Sequence, residues 1–278
     1  MASRVAAMSA MLAGEYTTVD GLHTYYIRRG AGPALVLLHG QSPGSCAEVV
    51  WAENVEYFAR AGFSVYALDQ AGFGRTENPQ DLSVETRIAH ARSFIDSMSL
   101  DRYALWGASD GSYVAARIAL TDSRVDALIL MASGALSPRG PEQFQERARA
   151  VVERMRQYTP SRENARRILR DVLHNEDRVT DDLVEQVCAM SAGKNLDAHM
   201  RRAAAPRPRD IGGELKDLKA PSLLLWGMDD VGAPVERGLL LLKLIPHAEL
   251  HVLNQCSHWP QRDQARRVNQ LVKDFLGR

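Results

Sequence analysis

Apolar positions fall along the chain in short runs, separated by stretches with helical spacing. Residues 16–29 alternate, with Asp20-Gly21 between two β-prone runs, and predict a hairpin. Residues 34–38 (Ala-Leu-Val-Leu-Leu) are continuously apolar and stop at His39-Gly40, as expected of a strand buried on both faces of a parallel sheet. The pattern then repeats. A helix is predicted near 51–61, a strand over 64–68 ending at Asp69, and a helix over 83–97. A strand over 103–106 ends at Gly107, followed by a helix over 112–120 and a strand over 125–131. After an interruption, strand 222–226, helix 235–244, strand 248–253 and helix 262–275 resume the alternation. Strands alternating with helices predict an α/β fold, a mostly parallel sheet covered on both faces.

The interruption, 136–208, is Arg-rich and helical. Helices are predicted over 143–158 and 161–173, separated by Pro160, which a helix interior does not accept cheaply. Thr180, followed by Asp181 and Asp182, caps a third helix whose acidic first turn suits the helix dipole. Pro206 and Pro208 mark the return to the sheet. The expected organisation is a core over 1–135, an inserted helical lid over 136–208, and the rest of the core over 209–278. The first thirteen residues carry one positive charge and a weakly apolar stretch. That is too little for a secretory signal, and predicts a frayed leader or a short packing helix.

Composition narrows the function classes. Of 278 residues, 45% are hydrophobic and 24% charged, which fits a globular protein and excludes global disorder. Thirty-four basic and 34 acidic side chains cancel, which argues against nucleic acid as a partner. The cancellation is an average, because residues 139–209 hold 15 Lys or Arg against 11 Asp or Glu. A basic lid over a cleft would favour an anionic small-molecule substrate; solvated helix faces with intrahelical pairs account for the same excess. No apolar run approaches the roughly 18 residues of a membrane span. Cys46, Cys188 and Cys256 are scattered, so neither a disulfide framework nor a structural zinc site is expected. The expected location is the cytoplasm.

Gly107-Ala108-Ser109-Asp110-Gly111 follows one predicted strand and opens a helix, the context a G-x-S-x-G nucleophile elbow requires. Glycines are needed where the sharp turn would drive side chains into neighbouring strands. The alternative is a glycine-rich turn with a buried serine. A serine needs a base, and His258 stands just after the last predicted strand, at the sheet edge where open α/β sheets build their sites. His251 falls inside a strand and His247 in a turn, while His23, His90, His174 and His199 lack a motif. The third member must orient the imidazole and stabilise its charged form. Asp229 and Asp230 both end the preceding strand, and the spacing from Gly227 favours Asp230. The order Ser109, Asp230, His258 is the one expected of this elbow architecture. The backbone N–H of Asp110 and that of Gln41, in the loop after the first buried strand, are the expected oxyanion donors. Losing one such donor typically costs about 2.7–4 kcal/mol of transition-state stabilisation. No metal or organic cofactor is implied, since neither a phosphate-binding glycine motif nor a metal-spaced histidine pair occurs.

Leu38-His-Gly40, Asp69-Gln-Ala-Gly-Phe-Gly74, the elbow, Trp226-Gly-Met-Asp-Asp230 and Cys256-Ser-His-Trp-Pro260 together resemble an α/β-hydrolase from about Tyr16 to the C-terminus. The His-Gly-x-x-Pro-Gly loop, the tryptophan after His258 and the tail from Val268 more narrowly resemble the carbon–carbon bond hydrolases of aromatic degradation, which cleave meta-ring-fission products. That resemblance implies a vinylogous diketone acid as substrate. Enol-to-keto tautomerisation would precede attack on the ketone by Ser109, or by a water that His258 activates. It implies that Trp259, with Ser42 and Ala108, lines the pocket; a core role accounts for Trp259 equally well. Relatives of this kind often self-associate, which implies a homodimer. Two positions depart from the pattern. Ala108 stands where asparagine is typical, and the stretch Thr180-Asp-Asp-Leu-Val-Glu-Gln-Val187 lacks the usual substrate-binding arginine. Asp110 resembles superfamily members in which this acid meets a substrate ammonium; a first-turn aspartate held by the helix dipole is the simpler account. A carboxylesterase or lactonase with the same trio is the alternative activity, and a non-catalytic small-molecule binding protein on the same fold a remote one.

Overall fold

The computed structural model describes residues 12–136, 142–205 and 208–278. The expectations for residues 1–11 and for Pro206 lie outside them. Strands β1 (Glu15–Val19) and β2 (Leu22–Arg29) form the antiparallel hairpin. Asp20 and Gly21 both take positive φ, 48° and 80°, as a two-residue I′ turn requires. Then come β3 (Ala34–Leu38), α1 (Ala47–Arg60), β4 (Ser64–Leu68), α2 (Val84–Ser97), β5 (Tyr103–Ala108), α3 (Asp110–Ala119) and β6 (Val125–Met131). Among the described residues, four α-helices interrupt the alternation: α4 (Glu142–Arg156), α5 (Arg162–Val172), α6 (Asp181–Met190) and α7 (Lys194–Ala204). The chain ends with β7 (Ser222–Gly227), α8 (Val235–Leu244), β8 (Ala248–Leu253), α9 (Pro260–Asp263) and α10 (Ala265–Leu276).

The eight strands of the described residues lie in the order β1-β2-β4-β3-β5-β6-β7-β8, parallel from β4 to β8. The chain leaves β3 toward β4 on one side and reaches β5 on the other, so the topological switch point lies between β3 and β5. Crevices outside the carboxyl ends of strands at such a point are where open α/β sheets bind ligands. Strand periodicity divides the core. Leu35, Leu37 and Trp106 face one layer, with Trp51 and Phe58 of α1, Val268 and Val272 of α10, and Leu169 and Val187 from the interrupting helices. Val36, Leu38 and Leu105 face the other, with Phe94 of α2, Val114 of α3 and Leu241 of α8. Among the described residues, no helix is long and apolar enough to cross a membrane.

Three elements differ from expectation. Helix α1 starts at Ala47, capped by the Cys46 sulfur, which accepts from Val49 N–H; a thiol is not a residue that signals a cap. The predicted last helix is two, because Gln264 leaves helical geometry at φ −130° and ψ 49°. Helix α7 falls in a segment expected to be helical, but no helix is predicted over its own residues. It is highly polar, begins at Gly193 without a side-chain cap, and buries only Ala198 and His199.

Candidate active site

Strand β5 runs straight into α3 through Ser109, whose φ of 54° and ψ of −121° are unusual for a residue with a side chain. Holding such a conformation costs about 1–3 kcal/mol, which the packing around it must supply. Both flanking glycines are forced by sterics. A Cβ on Gly111 would stand 2.3 Å from Leu38 O at the end of β3, and one on Gly107 2.4 Å from Gly111 O. Ser112 Oγ pins the turn by donating to Gly107 O at 2.7 Å and accepting from Met131 N–H at 3.0 Å.

His258 Nε2 lies 2.9 Å from Ser109 Oγ, and His258 Nδ1 lies 2.7 Å from Asp230 Oδ2. The Asp230 side chain is fully buried, and its other oxygen accepts from Gly232 N–H and Ala233 N–H, each at 2.8 Å. With Nδ1–H donated to this carboxylate, Nε2 is left to accept the serine proton. Burial alone would lower the His258 pKa, but the charge and hydrogen bond of Asp230 outweigh it and raise the value above 6.5. Asp229 turns away. It is partly exposed, accepts from Cys256 N–H at 3.2 Å, and lies 3.2 Å from His174 Nδ1. Gly227 lets the histidine loop pass, since a Cβ there would meet Ser257 O at 2.2 Å and Cys256 O at 2.3 Å.

The loop after β3 closes over the serine. A Cβ on Gly40 would come 2.9 Å from Ser109 Cβ. His39 is buried, and burial drops its pKa to about 3, so its ring is neutral. Its Nε2 accepts from Gln70 N–H at 3.2 Å, and Nδ1–H therefore donates to Gly40 O at 2.7 Å. With Gly40 O held to that ring, the trans peptide turns Gln41 N–H the opposite way. Asp110 N–H opens α3, where the first amides have no intrahelical acceptor. Ser42 and Ala108 are buried beside these turns, and Trp259 is 3% exposed and packed in the core layer of α1 and α10.

The Asp110 carboxylate forms an ion pair with Arg87 of α2, both side chains only 4% exposed. It is therefore not a free acid facing a ligand. Two groups near it had no sequence signal: Arg87 lies 23 positions earlier on another helix, and Arg202 sits on α7. Arg202 stacks 3.7 Å over the Phe73 ring and donates to Gly72 O. Burial, then the Arg87 charge, lower its pKa to about 9. Other arginines of the interrupting helices pair with acids, as Arg154 does with Asp171, Arg166 with Asp181 and Arg170 with Glu176. Arg202 has no carboxylate at ion-pair distance among the described residues. It lines a narrow cavity with Phe73, Tyr158, Ser191, Asn195 and His199. Among the described residues, no group of three or more His, Cys, Asp or Glu is arranged to hold a metal ion.

Together, these groups can deprotonate a serine hydroxyl and hold the resulting imidazolium against a carboxylate. Residues 35–271 match the model of the alpha/beta hydrolase family. The chain is 32% identical over 270 residues to a 2-hydroxy-6-oxononadienedioate/2-hydroxy-6-oxononatrienedioate hydrolase of Paraburkholderia phymatum, covering 92% of this chain and 91% of that protein. A 2-hydroxy-6-oxo-2,4-heptadienoate hydrolase of Pseudomonas putida is 31% identical, with 95% and 96% covered. The crystal structure of a meta-cleavage product hydrolase from Pseudomonas fluorescens superposes with a TM-score of 0.85 at 27% identity, covering 96% of this chain and 98% of that one.

Proposed function

The chain belongs to the alpha/beta hydrolase family, and from that premise we propose that it hydrolyses a carbon–carbon bond in a vinylogous diketone acid, with Ser109, His258 and Asp230 as the reacting residues. One observation carries the reading. The unbroken hydrogen-bond chain from Ser109 through His258 to Asp230 stands at the switch point of a chain whose full-length relatives bear the names of dienedioate hydrolases. The substrate's dienol first becomes its keto form, which puts a proton on the carbon that will leave. Ser109 Oγ then attacks the adjacent ketone as its proton passes to His258 Nε2, and the oxyanion rests on the amides of Gln41 and Asp110. The carbon–carbon bond breaks, its electron pair passing into a dienolate that takes the proton back from His258, which leaves a hydroxydienoate, a neutral His258 and an acyl group on Ser109. Water, activated by His258, releases that group as a carboxylic acid. The interrupting helices serve as a lid, and the charge of Arg202, which meets no carboxylate at ion-pair distance among the described residues and lies near the seam of lid and core, favours an anionic substrate.

An esterase or lactonase reading is favoured by one specific observation. Ala108 stands where the resemblance expects an asparagine, and the stretch expected to carry an arginine has Gln186 and Val187, neither of which replaces a guanidinium toward a keto acid. Dienone acids assayed beside short-chain aryl esters separate the readings. Turnover of the acids with little ester hydrolysis supports carbon–carbon cleavage, and esters faster by orders of magnitude would overturn it.

A further inference from the structure

The loop that carries His258 is tied to the interrupting helices on both sides of the histidine. Trp259 N–H donates to Val172 O, the last residue of α5, at 2.9 Å. Ser257 N–H donates to Asp263 Oδ2, also at 2.9 Å. That same carboxylate accepts His174 N–H at 3.0 and 2.9 Å on its two oxygens, and Asn175 N–H at 3.0 Å on Oδ1. Asp263 is 7% exposed. A buried carboxylate is costly unless hydrogen-bonded, and here three backbone amides from two distant segments converge on it. A second tie runs in parallel, from His174 to Asp229 and from Asp229 to Cys256 N–H. The chain leaving α5 is thus fastened to an anion of the core, and that anion also grips the residue before His258.

We propose that Asp263 is a positioning residue, coupling the docking of α5 to the placement of the His258 imidazole between Ser109 and Asp230. The proposal rests on the reading of Ser109, His258 and Asp230 as the reacting residues. Without the carboxylate, the 173–175 turn loses its anchor and Ser257 loses the bond that fixes the backbone entering His258. The imidazole then sits looser against both partners. A misplacement approaching 1 Å typically costs on the order of 10²-fold in rate, and partial loosening a good part of that. Asp229, Asp230, His174 and the buried Cys256 thiol are the other titratable groups around this loop.

The test compares wild type with Asp263→Asn, Asp263→Ala and Asp263→Glu, all below their melting temperatures, on whichever substrate the wild type turns over. The expected result for Asp263→Asn is a kcat lower by at least about 10-fold with little change in KM. The acid limb of its kcat/KM profile should also move down toward an ordinary histidine, because the Asp230 contact that raises His258 is loosened. Asp263→Glu, which keeps the charge and is the variant to use if the others fail to fold, should recover part of kcat. Lower melting temperatures with kcat and acid limb unchanged would overturn the proposal and leave Asp263 a purely structural strap. Ser109→Ala, run alongside, separates the two failures. If it stays active, the reading of the reacting residues is wrong; if it is dead while the Asp263 variants match wild type, only the coupling is wrong.

Discussion

Replacing Gly227 by alanine probes the placement of the histidine loop with a single methyl group. Gly227 ends β7, and its φ is not in the left-handed region, so alanine meets no backbone penalty there. The cost is steric. The new Cβ would stand 2.2 Å from Ser257 O and 2.3 Å from Cys256 O, against an ordinary contact of 3.4 Å or more. Both obstacles are backbone, so no side chain can swing aside, and the loop must lift by about 1 Å to restore van der Waals distance. That shift strains the 2.9 Å bond from Asp229 N–H to Cys256 O and carries His258 away from Ser109. Overpacking of this kind costs about 1–3 kcal/mol of stability. The geometric displacement should cost about 10²-fold in kcat. Urea denaturation reads the first, and the loss of dienone absorbance under saturating substrate reads the second. Gly213→Ala is the control, because a Cβ there meets nothing within 4 Å. A Gly227→Ala protein with wild-type kcat and an unchanged denaturation midpoint would refute the claim that this strand end carries the histidine loop.

The two adjacent acids should separate cleanly. Asp230→Asn keeps the shape but leaves the imidazole in the wrong tautomer, so kcat should fall by about 10³–10⁴-fold, while Asp229→Asn, which only loosens a tie of the loop, should fall far less; equal losses in steady-state assays would undo the assignment. The pH dependence has a definite sign as well. The raised His258 pKa places the acid limb of kcat/KM above 6.5, since activity needs the neutral ring and falls as pH drops through that value. Stability runs the other way: the His258–Asp230 pair contributes fully below about 6.5 and is lost as pH rises through the raised folded value. A limb below 6.5, or stability and activity moving together over this window, would contradict it.

What the sequence made legible was whatever local chemistry dictates. Asp20-Gly21 announced its hairpin, Ser83 and Thr180 cap the helices they were expected to open, and the continuous apolar runs became strands buried on both faces. The elbow could be placed because only glycine tolerates the approach of β3 at Gly111. Asp230 was preferred to Asp229 on spacing, and the geometry brings Asp230 to the histidine. Long-range electrostatics were not legible. That Asp110 is held by Arg87, that Arg202 lies over Phe73, and that Asp263 gathers amides from the 173–175 turn all depend on which distant segments the fold brings together. Helix α7 escaped because most of its surface is polar and no capping side chain marks its start.

The most direct test of the central claim is a paired measurement on purified wild type and Ser109→Ala. Consumption of a 2-hydroxy-6-oxo dienoate is followed beside hydrolysis of a short-chain aryl ester, with the carboxylic acid product identified by chromatography. The account predicts that the wild type cleaves the dienone acid with a kcat/KM at least an order of magnitude above that for the ester, and that Ser109→Ala abolishes both. Ester hydrolysis orders of magnitude faster than dienone cleavage, or a Ser109→Ala protein that still cleaves the dienone acid at the wild-type rate, would contradict it.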